Sequence, residues 1–536
     1  MRRVLPDARR ARAAVVLLAT LLSVGAYLLF AGDGAVLGYK DTVSHLLIGR
    51  RLVVGQETGL AQLGGIWLPL QHLCIMLLAW NDTLYLSGLA GSVFSMAAYV
   101  GTVVALYAVG RRSTGSHVAG LVAAGVFGLN VNVLFLQATP MTETLMYCGV
   151  AVAVLGVVRW CQDESVPWLF LSALTCGLLV FVRYEAWVFD AALWCVVVYA
   201  SWRRGDRFLR GDAEGQGLAL FFGLYMGLGL VAWLAYCQII FGDALVWLHG
   251  DYSSKAQVSE IGDQVVGELS RTVRTYGYAV LHTIPVGLLV TGGAGLVVMA
   301  VRERFSAVWA AFLSTTAPGA FLVYGLYSGS QPMNVVEVDG LLYNLRMAVV
   351  WILPVALFTG YLAATVSRAL VGLARRRGLV RPAHRGAVPV VLAAAATLVF
   401  LAPALAAFGE SSVDPTDGVI TYEEALQARA DYAPDRAAGL TVASETDGLV
   451  LAQAFSNEWV VFPLQERLVY EGTSSEWDAA LADPAAADID VIVMRVTPGS
   501  TDLVTERLRG SDAVRRDYRL LLKTYDLRIY VRRETS

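Results

Sequence analysis

Charged side chains are scarce in this sequence, and their scarcity excludes an ordinary soluble protein. Asp, Glu, Lys and Arg make up 16% of the 536 residues, whereas soluble domains carry about 25%. Lysine is nearly absent, with three residues among 41 basic ones. Hydrophobic residues make up 56% of the chain, and the mean hydropathy is +0.57. The composition therefore predicts a polytopic α-helical membrane protein with a smaller polar part attached.

Motifs for metals, disulfides and nucleotides are also missing. The six cysteines lie in or beside apolar segments without CxxC or Cys/His spacing, which indicates small buried hydrophobes and not a disulfide framework. No HExxH zinc motif occurs. The segment from Glu410 to Ser536 has 13 basic and 23 acidic residues, which argues against nucleic acid as a partner because phosphates require clustered cations. It also lacks a GxGxxG motif and a P-loop, so no nucleotide site is predicted there.

Long apolar runs dominate the first three quarters of the chain. A membrane-spanning helix needs about 20 apolar residues, and we count about eleven such segments when short polar interruptions are allowed. The first lacks a small-residue cleavage site and is interpreted as a retained helix. We predict a membrane domain over 1–408 and a separate domain over 409–536. The spans are approximately 13–31, 84–109, 117–136, 142–159, 166–182, 186–202, 216–240, 276–300, 306–328, 346–371 and 387–408.

Arginine clusters indicate the orientation in the membrane. Short cytoplasmic loops are enriched in Lys and Arg, and every cluster falls on the same side when eleven spans are threaded. This predicts a cytoplasmic N-terminus, with the first loop and the C-terminal domain outside. The clusters lie at 2–12, 111–112, 203–210, 302–304 and 375–385.

Beyond Val413 the hydrophobic period changes. Strand patterns alternate with those of amphipathic helices, which predicts a small α/β domain with a partly parallel sheet. We interpret it as a docking or lid domain because it contains no catalytic motif. The strand patterns lie at 441–445, 491–495 and 520–533, and the helix patterns at 422–430, 447–455, 476–483 and 501–509.

The polar loop between the first two spans carries the main candidate site. It reads GYKDTVSHLLIGRRLVVGQETGLAQLGGIWLPLQH over 38–72. A helix beginning near Asp41 puts His45 on the same face, with Arg50 and Arg51 two to three turns further on. The alternative is an interfacial helix whose charges merely face water. A tryptophan, a proline and three glycines then interrupt an apolar run, which is tolerated where the backbone lines a cavity.

Other ionisable residues recur at the predicted outer ends of helices, where such groups are functional candidates. Glu143 begins the fourth span, and Arg183 and Glu185 lie between the fifth and the sixth. Their structural alternatives are an acid that favours a helix N-terminus for Glu143 and an interfacial ion pair for Arg183 and Glu185. Lys255 and Arg346 add cations in later outer loops. Together with the arginines of the first loop, these cations predict a positively charged cleft suited to a phosphate.

These features together resemble the GT-C class of integral-membrane glycosyltransferases, which includes the protein O-mannosyltransferase-like enzymes. The shared features are a retained first helix, a long first outer loop with an early acid (here YKDTVSH), many spans and an outer C-terminal domain. The stretches GLAQLGGIWLPLQH, WNDTLYLSGLAGS, LNVNVLFLQATPMTE and RYEAW resemble a bacterial branch of the class. Many members carry two adjacent acids in this loop, whereas Asp41 stands between Lys40 and Thr42. A single carboxylate makes a poor divalent-cation site.

The resemblance implies an inverting transfer of sugar from a polyprenyl-phosphate donor at the outer face of a bacterial plasma membrane. Asp41 would act as general base on an acceptor hydroxyl, and cations would stabilise the leaving phosphate. No cofactor is firmly implied, and a divalent cation stays open. The acceptor is a glycan, a lipid or a protein, and membrane lipid is a further partner. The substrate-binding candidates are His45, Arg50, Arg51, Glu143, Arg183, Glu185, Lys255 and Arg346.

Two other functions remain as alternatives. A transporter or lipid flippase would favour internal repeats and charged or broken helices near the membrane midplane, but no internal repeat is visible and the polar residues gather at the outer helix ends. A membrane-anchored scaffold or sensor would use the acidic outer domain as its working part.

Overall fold

The computed structural model describes residues 8–203, 213–250, 252–253, 265–378, 387–413, 418–497 and 500–533. In this part of the chain, eight helices are long and apolar enough to cross a membrane. Side chains such as Leu220, Ile239 and Val399 are exposed on them, as expected where a helix faces lipid. The prediction of a polytopic helical membrane protein is confirmed. The eight are Arg9–Gly32, Leu89–Thr114, Glu143–Asp163, Gly215–Phe241, Val286–Glu303, Ala307–Ser328, Leu345–Arg376 and Ala387–Ser412.

The predicted number of eleven spans is not confirmed. Three expected segments are helical but fall short of a span in length or hydropathy. One breaks at Asn130, whose side chain caps the next helix by accepting the Val133 N–H at 3.0 Å. Another is short, and the third contains Glu185 and Asp190. The helices concerned are His117–Gly128 with Val131–Leu136, Val166–Leu179, and Tyr184–Arg203.

Shorter elements connect the long helices, mostly at the end of the membrane domain that carries Asp41. The short α-helices are Lys40–Arg51, Leu70–Met76, Asp82–Leu86, Val246–His249, Leu269–Thr283 and Val336–Asp339. Turns of 3₁₀-helix occupy Ala35–Leu37, Leu60–Leu63 and Leu345–Trp351. Two of the eight spans combine more than one element: α-helices Ala307–Ser314 and Ala317–Ser328 form one, and the 3₁₀-helix Leu345–Trp351 with α-helix Ile352–Arg376 forms the other. The α-helices of three further spans have the bounds Ala8–Gly32, Ala213–Phe241 and Ala387–Val413.

Arginines of the predicted clusters contact residues at the ends of neighbouring long helices. Arg112 forms an ion pair with Asp163, which joins the ends of two long helices. Arg203 Nη1 donates to the Arg304 carbonyl oxygen at 2.7 Å, which joins two more. These contacts agree with the prediction that the arginine clusters share one side of the protein.

The C-terminal domain is built on a mixed sheet whose strand order is β2-β1-β3-β6-β5. β1 pairs in parallel with β2 and β3, whereas β6 is antiparallel to β3 and β5, and β4 pairs with the end of β3. The predicted partly parallel α/β domain is therefore confirmed. The strands are β1 Leu449–Leu451, β2 Leu468–Val469, β3 Ile489–Thr497, β4 Ser500–Thr501, β5 Tyr518–Lys523 and β6 Leu527–Arg532. The helices are Ile420–Asp431, Ala433–Glu445, Glu458–Val461, Trp477–Ala482, Leu503–Leu508 and Asp512–Asp517, with a 3₁₀-helix at Phe462–Arg467.

Two segment assignments in this domain were wrong. Residues 441–445, predicted as a strand, end the helix Ala433–Glu445, which buries Ala438 and Val442 on one face four residues apart. Residues 447–455, predicted as a helix, contain β1. Because β1 is flanked by strands on both sides, its side chains are apolar without alternation, and periodicity alone does not separate such a strand from a buried helix.

The helix Lys40–Arg51, which we call the loop helix, is mostly buried. Val43, Leu46 and Leu47 share an apolar cluster with Ile75 of the following helix and with residues of the C-terminal domain. The interpretation of an interfacial helix whose charges face water is therefore wrong. The C-terminal domain also docks through hydrogen bonds, and the Tyr85 hydroxyl donates to the Phe462 carbonyl at 3.0 Å. First loop and C-terminal domain thus share one core.

Gly49 allows the loop helix to lie against its neighbour. A Cβ atom at this position would lie 2.4 Å from Ile75 Cγ2. We expect Gly49→Ala to lower the free energy of unfolding by about 1–3 kcal/mol, because overpacking forces side chains out of their rotamers. The matched control is Gly277→Ala, which meets open space. Thermal unfolding in detergent measures both, and equal stability of the two variants would contradict the close packing.

Candidate active site

The loop helix fixes the position of the candidate base. Tyr39 precedes the helix in an extended conformation, and Asp41 lies in its first turn, where the helix dipole favours an acid. The Asp41 side chain is 34% exposed, although most of the helix is buried. Asp41 therefore sits on a rigid support while its carboxylate still reaches solvent.

A series of alternating charges begins at Asp41. Its carboxylate contacts the Arg346 guanidinium, and Arg346 Nε donates to Glu143 Oε1 at 3.3 Å. The same oxygen accepts from Arg183 Nη1 at 3.0 Å. Arg183 Nε in turn contacts the Glu185 carboxylate. We call these five side chains the charge chain, and it unites four segments that are far apart in sequence.

The charge chain is balanced and not strongly positive. The side chains of Glu143, Glu185 and Arg346 are 2%, 4% and 6% exposed. Buried charges of this kind persist only when they are paired, and here three acids surround two arginines. Among the described residues, the two arginines that reach this place, Arg183 and Arg346, are both paired with carboxylates, so they alone do not form the positively charged cleft predicted from sequence.

Glu424 of the C-terminal domain holds Arg346 in place indirectly. Its carboxylate accepts the backbone N–H groups of Asn344 and Leu345, the second at 3.2 Å, directly before Arg346. It also accepts the Tyr39 hydroxyl at 3.2 Å, and the Tyr39 ring lies 4.9 Å from the Arg346 guanidinium. Glu424 thus anchors both the backbone and the aromatic ring that position this arginine.

A cavity of about 410 Å³ opens along one face of the loop helix. Ser44, Ile48 and Arg51 line it. Asp41 is not one of the lining residues, but it precedes Ser44 by three positions and is therefore its neighbour on the helix surface. The cavity also takes walls from the loop after the helix and from the C-terminal domain. Its aromatic lining consists of Trp67, Phe241, Tyr252, Phe455 and Tyr470.

An ion pair between Lys40 and Glu458 lies at the end of the cavity nearest Asp41. The Lys40 Nζ and Glu458 Oε1 atoms are 3.2 Å apart, and the Glu458 side chain is 8% exposed. Burial raises the pKa of Glu458 from its ordinary 4.5 to about 7, against the opposing attraction of Lys40. The carboxyl group therefore exchanges its proton near neutral pH, and the charge of the cavity changes with it.

His45 lies close behind the cavity wall but does not line it. Its Nδ1 atom is 2.8 Å from His72 Nε2, and its ring packs against Trp67 with centroids 4.5 Å apart. Burial and, to a smaller extent, the nearby guanidinium groups of Arg183 and Arg346 together lower the pKa of His45 to about 3. His45 is therefore neutral at physiological pH and supports Trp67 without offering a charge.

The remaining predicted cations separate from one another. Arg50 points away from the charge chain, and it contacts the carboxylates of Asp82 and Glu466. Arg50 thus ties the loop helix to the C-terminal domain. Arg51 lines the cavity. Lys255 lies outside the described residues.

Comparison with known proteins gives a family match over part of the chain and structural matches over most of it. Residues 84–233 match the family model described as dolichyl-phosphate-mannose-protein mannosyltransferase. The chain is similar to ArnT from Cupriavidus metallidurans bound to undecaprenyl phosphate, with a TM-score of 0.53 and 12% identity over 97% of this chain and 98% of that one. The chain has the GT-C fold. The resemblance found in the sequence is therefore confirmed.

A second solved structure is similar to this chain. The oligosaccharyltransferase of Archaeoglobus fulgidus, in complex with Zn and sulfate, matches with a TM-score of 0.51 and 11% identity over 89% of this chain and 67% of that one. No curated protein matches the sequence. At these identities the structural comparisons establish the fold, and the chemistry has to be argued from the residues of this chain.

The residues around Asp41 do not fit a divalent cation. Asp41, Glu143 and Glu185 each contact an arginine, so a metal ion would have to compete with a guanidinium for every carboxylate. Within the described ranges, no group of three or more metal-ligating side chains comes together. A divalent cation, left open by the sequence, stays an untested prediction, and no step below uses one.

Two acids of the site were missed in the sequence because they come from the C-terminal domain. Glu458 lies in the apolar stretch NEWVVF and Glu424 in the helical pattern YEEALQARA. An acid inside a buried apolar run is unusual unless it is paired, and that signal points to Glu458. The sequence contains no signal that connects either acid with the loop helix of this GT-C fold.

Glu458 makes the stability of this protein depend on pH. A carboxyl group whose pKa is raised on folding stabilises the native state at low pH and loses that contribution as pH rises through the folded-state pKa. We expect the stability of wild type relative to Glu458→Gln to fall by about 2–3 kcal/mol between pH 5 and pH 8. Unfolding of the purified protein in detergent at both pH values measures this difference.

The control for this experiment is Glu476→Gln, which changes an exposed glutamate of the same domain. Its stability relative to wild type should stay constant over the same pH range. If Glu458→Gln behaves like Glu476→Gln, the buried and protonatable state of Glu458 is refuted.

Proposed function

We propose that this protein is a glycosyltransferase that moves a sugar from a polyprenyl-phosphate donor to an acceptor hydroxyl, with inversion at the anomeric carbon. One observation carries the proposal. Asp41, a partly exposed carboxylate on a buried helix, lies one turn before the part of that helix that lines the cavity, and it contacts a buried arginine. A base that can accept a proton thus stands beside a cation that can stabilise an anion.

Asp41 takes the proton of the acceptor hydroxyl. A carboxylate is too weak a base to deprotonate an alcohol in advance, so the proton moves as the glycosidic bond breaks. The acceptor oxygen forms its bond to the anomeric carbon on the face opposite the phosphate. The bond between that carbon and the phosphate oxygen breaks, and its electron pair leaves with the polyprenyl phosphate, which inverts the configuration.

Arg346 is the best-placed cation for the leaving phosphate. The Arg346 side chain is 6% exposed and contacts Asp41. Glu143 and the Tyr39 ring contact its guanidinium, and Glu424 binds the backbone before it and the Tyr39 hydroxyl. A preorganised charge of this kind stabilises developing negative charge without reorganisation in the transition state. Glu143 pairs with both Arg346 and Arg183, and Glu185 pairs with Arg183, so both arginines are fixed in position. Arg183 is the second candidate for binding the phosphate.

The membrane setting supports the same donor. The chain is a multi-pass membrane protein, and a relative in fold, ArnT, was crystallised with undecaprenyl phosphate. We place Asp41 and the C-terminal domain on the outer face of a bacterial plasma membrane, because the arginine clusters lie at the other helix ends. The acceptor comes from that side and is a glycan, a lipid or a protein.

Asp41→Asn tests the proposal, because it preserves shape and removes the base. We expect kcat for sugar transfer to fall about 10²–10⁴-fold, the usual contribution of a general base. Purified protein in liposomes would be supplied with a panel of polyprenyl-phosphate sugars and an acceptor extract, and the glycosylated product would be quantified.

The matched control is Asp163→Asn, which also removes a carboxylate from an arginine pair but lies at the opposite helix ends. It should transfer sugar at the wild-type rate. Unimpaired transfer by Asp41→Asn would remove Asp41 from the mechanism, and absence of transfer by wild type from every donor would overturn the proposed activity.

A further inference from the structure

The cavity beside Asp41 has two walls of different origin. The loop helix and the loop that follows it supply one wall, including Arg51, Gln62 and Trp67. The C-terminal domain supplies the other, including Phe455, Tyr470 and Thr473. Hydrogen bonds join the walls, since the Thr473 hydroxyl donates to Gln62 Oε1 at 2.7 Å. The cavity therefore exists only when the C-terminal domain is docked.

Arg51 differs from the other arginines of the site in forming no ion pair with a described residue, although Glu471 of the same cavity is close enough to attract it. Its guanidinium lies 3.9 Å from the centre of the Tyr470 ring, and its Nε donates to Gln465 Oε1 at 3.4 Å. Among the described residues no carboxylate oxygen lies within 4.0 Å of it, whereas neighbouring Arg50 contacts both Asp82 and Glu466. Stacking on an aromatic ring holds the guanidinium plane and leaves its charge available.

The two acids that line the cavity are already satisfied. Glu458 is paired with Lys40. Glu471 accepts the backbone N–H groups of Ala454 at 2.7 Å and Phe455 at 3.0 Å. Because both acids are engaged by an ion pair or by backbone N–H groups, Arg51 is, among the described lining residues, the charged group most available to a bound molecule.

The remaining lining suits a hydroxylated ring. Trp67, Phe455 and Tyr470 offer aromatic faces, which attract the weakly positive C–H bonds of a sugar through their negative quadrupole. The amide of Gln62 and the hydroxyl of Thr473 add polar groups at the wall. A cavity of about 410 Å³ is within the usual range for small-molecule sites.

The position of Asp41 decides which reactant enters. A general base has to reach the hydroxyl that it deprotonates, and Asp41 lies one helical turn before Ser44, which lines the cavity. The donor is carried by a membrane lipid, whereas one wall here belongs to the domain outside the membrane. We propose that this cavity is the acceptor subsite and that Arg51 selects a saccharide acceptor with a carboxylate or phosphate group.

The assignment of this cavity to the acceptor rests on the proposed function, but the experiment measures sugar binding alone. Full-length protein in nanodiscs of neutral phosphatidylcholine would be titrated with methyl β-glucuronide and methyl β-glucoside, which differ in one carboxylate. Saturation-transfer NMR measures each Kd. We expect wild type to prefer the glucuronide about tenfold, the usual effect of one charge-assisted hydrogen bond.

Two substitutions isolate the role of the arginine. Arg51→Gln should bind both sugars equally, whereas Arg507→Gln, which removes an exposed arginine of the C-terminal domain, should keep the tenfold preference. Arg51→Lys, which retains the charge, should keep part of the preference and covers the case in which Arg51→Gln does not fold. Equal binding of both sugars by wild type, or an unchanged preference in Arg51→Gln, would overturn the proposal.

Geranyl phosphate, a short soluble analogue of the lipid phosphate, distinguishes the two reactants. It should not displace the glucuronide from wild type. Competitive displacement would assign the cavity to the donor and overturn the acceptor assignment. Asp41→Asn should keep the preference for the glucuronide over the glucoside, because that preference depends on Arg51. If wild type prefers the glucuronide but transfers no sugar, the proposed activity has failed. If wild type transfers sugar but binds both sugars equally, the proposed acceptor subsite has failed.

Discussion

The pairing of Glu143 with two arginines is the contact on which the rest of the site depends. One carboxylate oxygen accepts from both Arg346 and Arg183, and all three side chains are largely buried. Removal of one partner from such a group leaves an uncompensated buried charge, which costs far more than an exposed ion pair contributes. The charge chain therefore forces four distant segments to meet in one arrangement, and Asp41 stands at its solvent end.

The charge chain is buried at one end and partly exposed at the other. Glu143 and Glu185 are shielded from water and hold the arginines in fixed places. Asp41 is shielded least, as its proposed role as a general base requires. A site in which charges are oriented before the substrate arrives needs little reorganisation during reaction. The same pairing explains why the site lacks excess positive charge even though it contains arginines.

The C-terminal domain is part of this site and not an appendage. Glu424 anchors the backbone before Arg346 and the ring of Tyr39, and Glu458 pairs with the lysine next to Asp41. The apolar cluster shared with the loop helix provides the stability for this docking. The predicted boundary at 408–409 falls within the helix Ala387–Val413, so the chain continues into the outer domain without a break at that point.

The sequence by itself determined the membrane character, the loop helix and the candidates Asp41, Glu143, Arg183, Glu185 and Arg346, because scarce charges in an apolar chain are conspicuous. Only the tertiary structure decided how those candidates pair and which neighbours turn away. Arg50 and Arg51 are adjacent and chemically identical, yet helix geometry points one toward Asp82 and Glu466 and the other into the cavity. Hydrophobic patterning operates over a few helical turns, whereas an ion pair between residues 41 and 346 depends on how whole helices pack. That long-range packing is also what brings Glu424 and Glu458 to the loop helix, and no local pattern encodes it.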